Sequence, residues 1–155
     1  MARRFTIQGN YGSVSAAADV LRITAPTNGL MRIIEIHVAQ DTDETSEMLP
    51  FAVYRASDNG TGTAANVQNL EYNTQDSLGA IGGFSAVYGL SGATTKSPAA
   101  PLFRESVNIL SGFHFVQVPE ARPIASGNSR IAVRLETAPT NTLALSVYAI
   151  VEIEG

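Results

Sequence analysis

The chain has 155 residues, 45% of them hydrophobic and only 15% charged, with 10 Lys and Arg against 14 Asp and Glu for a formal net charge of -4. That length suits one domain with its own core, and the low charged share leaves a surface rich in neutral polar residues. A single lysine, Lys96, and nine scattered arginines form no basic stripe to displace counterions from phosphates, which excludes nucleic acid as a partner, and the absence of cysteine excludes disulfides, thiolate metal sites and cysteine nucleophiles.

The chain opens with the twin arginine of Met1-Ala2-Arg3-Arg4-Phe5, but the alternating Thr6-Ile7-Gln8 that follows is no signal-peptide core. Residues 1–11 read instead as an N-terminal arm or first strand. Alternation recurs with Leu21 and Ile23 against Arg22 and Thr24, each run predicting a half-buried strand. Val14 through Val20 contain Ala16-Ala17-Ala18, which suits a short turn. The next strands set Ile34, Ile36 and Val38 against Glu35, His37 and Ala39, then Phe51 and Val53 against Ala52 and Tyr54. Ala25-Pro26-Thr27-Asn28-Gly29 and Asp41-Thr42-Asp43-Glu44-Thr45 carry turn chemistry between them.

From 57 to 101 the composition shifts to Gly, Ala, Ser, Thr and Asn, a long excursion with apolar islands at 67–72 and 81–90 that predict a strand or two at a sheet edge. Core material resumes at Leu102 and Phe103 and continues around Phe113, Phe115 and Val118. Near the end, Ile131, Val133 and Leu135 face one way and Arg134 and Glu136 the other. A turn at Ala138-Pro139-Thr140-Asn141 leads to Leu143, Leu145, Val147, Ala149, Val151 and Ile153, alternating with Ser146, Tyr148, Glu152 and Glu154. These last two strands are expected to form a hairpin. No segment sustains a helical period, and no run of about 18 apolar residues is present, so a membrane-spanning helix is not expected. The fold class predicted is all-β: a single-domain antiparallel β-sandwich or barrel over 1–155, jelly-roll-like, with a long central loop excursion at 57–101.

Chemical motifs fail in their context. Gly60-Thr61-Gly62-Thr63-Ala64-Ala65 matches the dinucleotide fingerprint, but Asn66-Val67-Gln68-Asn69-Leu70 does not continue as an amphipathic helix, and no βαβ alternation surrounds it. Asp41, Asp43, Glu44 and Glu47 cluster as a hard cation would want, yet the spacing and glycine of a calcium loop are missing, and a solvated charged loop is the simpler reading. If that loop has a partner, an arginine of a neighbouring subunit fits. His37 and His114 are the only histidines and read as structural or surface residues. Asn59-Gly60-Thr61 is a glycosylation sequon without a secretion signal beside it. With no tryptophan, and with Tyr11, Tyr54, Tyr72, Tyr88 and Tyr148 dispersed, a glycosidase or lectin finds no support. The residues therefore predict a non-catalytic protein without metal or cofactor.

Several segments taken together resemble a family of small tailed-phage and prophage virion proteins of the capsid decoration, or cement, type. They are Val14-Ser15-Ala16-Ala17-Ala18-Asp19-Val20-Leu21-Arg22-Ile23-Thr24-Ala25-Pro26, the strand at 33–40, Glu47-Met48-Leu49-Pro50-Phe51, Pro119-Glu120-Ala121-Arg122-Pro123-Ile124, Ser129-Arg130-Ile131-Ala132-Val133-Arg134-Leu135 and the Ala138-Pro139-Thr140 turn. The centre departs from that pattern at Leu78-Gly79-Ala80-Ile81-Gly82-Gly83-Phe84. The resemblance implies a β-barrel or sandwich that self-associates as a homotrimer and clamps subunits of the major capsid protein from outside. It further implies a place on the outer capsid surface after synthesis in the host cytoplasm, with 1–11 and 57–101 expected to carry most intersubunit contact. A tail or fibre-adaptor protein is the alternative, and a glycan-binding module a third reading.

Overall fold

The computed structural model describes residues 2–42, 46–57, 61–71, 83–90 and 100–155. Twelve strands form among them: β1 (Ala2–Val14), β2 (Ala18–Thr24), β3 (Leu30–Thr42), β4 (Met48–Ala56), β5 (Thr63–Ala64), β6 (Asn66–Asn69), β7 (Ser85–Tyr88), β8 (Phe103–Asn108), β9 (Phe113–Val116), β10 (Ile124–Ser126), β11 (Arg130–Leu135) and β12 (Leu143–Glu154). The one helical element among the described residues is a short 3-10 turn at Pro119–Ala121.

Period-two alternation dictates the architecture. In β12 the residues Leu143, Leu145, Val147, Ala149, Val151 and Ile153 are buried, while Ser146, Tyr148, Ile150, Glu152 and Glu154 alternate with them on the other face. β12 lies between β1 and β3; β6 extends this first sheet past β1, and β9 and β10 share the far edge of β3. The second sheet runs in the order β5, β7, β2, β11, β4, β8, and all pairings in both sheets are antiparallel. The two inner faces meet in one apolar cluster, which makes the protein an all-β sandwich. Aromatic pairs bridge the layers: Phe51 of β4 stacks on Phe113 of β9 with ring centroids 5.3 Å apart, and Phe103 of β8 meets Phe115 of β9 edge-on at 5.2 Å.

The two C-terminal strands do not form the expected hairpin. β11 belongs to the second sheet, between β2 and β4, whereas β12 belongs to the first, so the connection through 136–142 crosses from layer to layer. Two strands whose apolar faces both need cover can pair edge to edge or pack face to face, and alternation within each strand is the same in either case. The connections β1 to β2, β2 to β3 and β3 to β4 cross the core in the same way.

A second correction concerns β3. Ile36 and Val38 are buried as expected, but Ile34 is not; Met31 and Ile33 take the inward positions before it. The pairing with β12 slips there, Ile33 facing Val151 and Glu35 facing Ile150, so Ile34 is the extra residue of a β-bulge. The reading of β2 and β4 as half-buried is also corrected, because both of their faces are covered: Arg22 is 1% exposed, and Ala52 and Tyr54 are buried beside Phe51 and Val53. Burial of Arg22 is tolerable because its Nη2 lies 3.0 Å from Oδ2 of buried Asp19, whose Oδ1 is 3.5 Å from Nη1 of Arg134.

The islands of the central excursion do supply edge strands. β6 lies along β1 in the first sheet, β5 and β7 form the edge of the second, and Ala65 carries the chain between them. Residues 2–11, expected as an arm or strand, lie within β1, which is paired on both sides from Phe5 to Gln8.

Candidate functional site on the outer face of the first sheet

Register alone builds a row of polar and aromatic side chains across five strands. His114 on β9 faces His37 on β3, His37 faces Tyr148 on β12, Tyr148 faces Gln8 on β1, and Gln8 faces Asn66 on β6. Directly opposed residues share a face, and all five belong to the face turned away from the core. The rings of His37 and His114 meet edge-on with centroids 4.6 Å apart, and those of His37 and Tyr148 are tilted at 5.1 Å.

Glu35 ties this row to the next. The Tyr148 hydroxyl donates to Glu35 Oε1, and His37 Nε2 lies 3.6 Å from Glu35 Oε2. The hydrogen bond to Glu35, then burial, then the carboxylate's charge push the Tyr148 phenol up to about 12. On the far side, His114 Nε2 is 3.1 Å from the Ser111 carbonyl, to which it donates when that nitrogen carries the proton. A charged row follows two positions along, where Glu152 lies 3.5 Å from both Arg4 and Arg32, and Arg32 also bonds Glu154 at 2.6 Å. These carboxylates hold Arg32 more firmly protonated than a free guanidinium, Glu154 contributing most.

At the opposite end of the row the sheet leaves a cleft of about 500 Å³. β6 pairs with β1 only as far as Gln8, and among the described residues no strand pairs with that side of β1 beyond it. The carboxamides of Gln8, Asn10 and Asn66, the hydroxyl of Ser146, and Tyr88 and Tyr148 line the cleft. Gly9, which also lines the cleft, is required by close approach: a Cβ there would lie 2.4 Å from Cγ and Cδ1 of Tyr88. Asn10 Nδ2 donates to Asp41 Oδ2 at 2.5 Å, which orients its amide.

The residues singled out by motif go elsewhere. Gly60 lies outside the described residues; Thr63 and Ala64 form β5, and Asn66–Asn69 is a strand where a dinucleotide site needs a helix. Asp43 and Glu44 also lie outside them, as do Asn59 and Gly60 of the sequon. Both carboxylate oxygens of Glu47 accept from the Thr140 amide, at 3.0 and 3.1 Å, and Oε1 also accepts from its hydroxyl at 2.8 Å. Glu47 thereby pins the 138–141 turn. Among the described residues no group of three or more His, Asp or Glu side chains is placed to hold a metal ion, and no helix is long and apolar enough to cross a membrane. The meeting of His37 with His114, and the placing of Tyr88 and Tyr148 along one cleft, was not visible in the sequence. Outward phase at Tyr148 and Ser146 was a usable signal, but strand order was not.

No protein-family model matches the chain, and no curated protein matches it significantly. Fold and face together define a two-layer β-sandwich whose first sheet carries, on its outer face, a polar and aromatic row beside a charged one.

Proposed function

We propose that this protein is a non-catalytic structural component of a virion, a capsid decoration protein that binds the outside of an assembled phage shell as a homotrimer and stabilises it. The sequence segments that resemble decoration proteins support this reading, and one structural observation carries it further. Where the sandwich edge opens between β8 and β9, Leu102, Phe103, Phe115 and Pro123 line a groove of about 260 Å³. Neighbouring chain positions leave Val116 58% and Val118 63% exposed, with Leu102 at 43% and Ile124 at 45%. Apolar side chains gathered at one edge suit a surface that a protein partner covers. The partner in this reading is the major capsid protein.

A cement protein acts by mass action: it binds the closed shell and not free coat subunits, so its binding free energy adds to shell stability. Trivalency raises the effective concentration of the second and third contacts, so that weak individual contacts suffice. The experiment is co-sedimentation with purified shells of the wild type and of Leu102→Glu combined with Val118→Glu, two exposed positions. Wild-type occupancy that saturates, and a loss of at least tenfold in the double variant with the fold retained, supports the reading. Undiminished occupancy in a folded variant removes the apolar edge from it, and no wild-type binding removes the reading.

A further inference from the structure

We infer that the cleft beyond the end of β6 is a binding site for a neutral saccharide, a function independent of shell binding. The chemistry of its lining points there. Gln8, Asn10 and Asn66 present three carboxamides, each with a donor and an acceptor on one planar group, and Ser146 adds a hydroxyl. Vicinal sugar hydroxyls both donate and accept, and paired donor-acceptor groups match them. Among the described residues no charged side chain lines the cleft, and the carboxylates that touch its lining, Asp41 on Asn10 and Glu35 on Tyr148, disfavour an anionic ligand.

The apolar face a pyranose needs comes from the two tyrosines. Tyr148 is held at its hydroxyl by Glu35 and along its ring by His37. Tyr88 lies against Gly9, which has no side chain to lift it. Rings fixed in this way lose little freedom on binding, so contact area is not offset by ordering. At about 500 Å³ the cleft is within the usual size of small-molecule sites.

The edge of β1 beside the cleft, unpaired among the described residues, invites another occupant, an added peptide strand. The backbone argues against it. Pairing of β1 with β12 shifts register between Tyr11 and Val14, and such an irregularity twists an edge away from the straight ladder that strand addition requires.

The test is an amide-resolved NMR titration of the intact protein with lactose, maltose, N-acetylglucosamine and, as an anionic arm, sialic acid. The site predicts saturable shifts at Gly9, Asn10, Asn66 and Ser146 with at least one neutral sugar, weaker or absent with sialic acid. Gln8→Ala and Asn66→Ala, both at the surface, should weaken binding by about tenfold each while leaving the remaining spectrum in place. Ser146→Trp should abolish it by filling the cleft. Shifts that never saturate with any sugar, equal binding by the alanine variants, or the same residues responding only to an extended peptide would each overturn the inference.

Discussion

The hydroxyl of Tyr148 on β12 donates to the carboxylate of Glu35 on β3, a diagonal contact made possible by the β-bulge at Ile34. In a regular strand continuing the phase of Ile33, Glu35 would turn into the core. The extra residue keeps it on the outer face beside His37.

This contact has a pH signature. The phenol of Tyr148 ionises at about 12 in the fold against 10.0 ordinarily, so the folded state keeps its proton longer. The stability it contributes is complete below pH 10 and is lost as pH rises toward about 12. A spectrophotometric titration should show the Tyr148 phenol ionising late. Tyr148→Phe should remove that late step and cost about 1 kcal/mol in urea unfolding at neutral pH.

Deleting Ile34 should be tolerated. Val151 and Ile150 are adjacent on β12 and face Ile33 and Glu35, so removing the residue between leaves a continuous ladder with the inward set unchanged. Deletion of Tyr148, also an outward residue, inverts the phase of β12 on one side of the cut and should prevent folding. Circular dichroism melts distinguish the two; equal damage from both would contradict the bulge assignment.

Asp19 should be the most sensitive charged residue of the second sheet. It lies within 3.5 Å of two guanidinium groups, those of Arg22 and Arg134, where water has little access. Asp19→Ala removes the compensating charge and should destabilise by about 3–5 kcal/mol, read as a lower urea midpoint. Asp19→Ala within about 1 kcal/mol of wild type would show that the buried charges are compensated without it.

Phe51 and Phe113 hold the layers together at 5.3 Å between ring centroids. Each replacement by alanine should cost about 3–5 kcal/mol, and the double variant should show a coupling of about 0.5–1.5 kcal/mol. Additive losses would mean that the rings fill space without interacting.

Strand content was legible because apolar alternation records which face of a strand is buried, as the inward set of β12 from Leu143 to Ile153 illustrates. What the alternation does not record is the partner. β11 and β12 carry equally strong patterns whether they pair or pack across the core, and the crossing at 136–142 turned an expected hairpin into two layers. A bulge is hidden for the same reason: Ile34 is as apolar as Ile33, and only the register against β12 shows which faces inward. The outer face was less legible still. His37 and His114, or Gln8 and Asn66, become neighbours through long-range pairing, and Tyr88 reaches the first sheet from the second. Buried Arg22 was invisible because alternation assigns an arginine to water, whereas Asp19 three residues earlier supplied the counter-charge.

The measurement that bears most directly on the proposed role is the copy number of this protein in purified virions, by quantitative mass spectrometry against the major capsid protein. A decoration protein predicts a fixed ratio to capsid subunits, reaching many copies per particle. Absence from particles, or the few copies expected of a tail component, would contradict it.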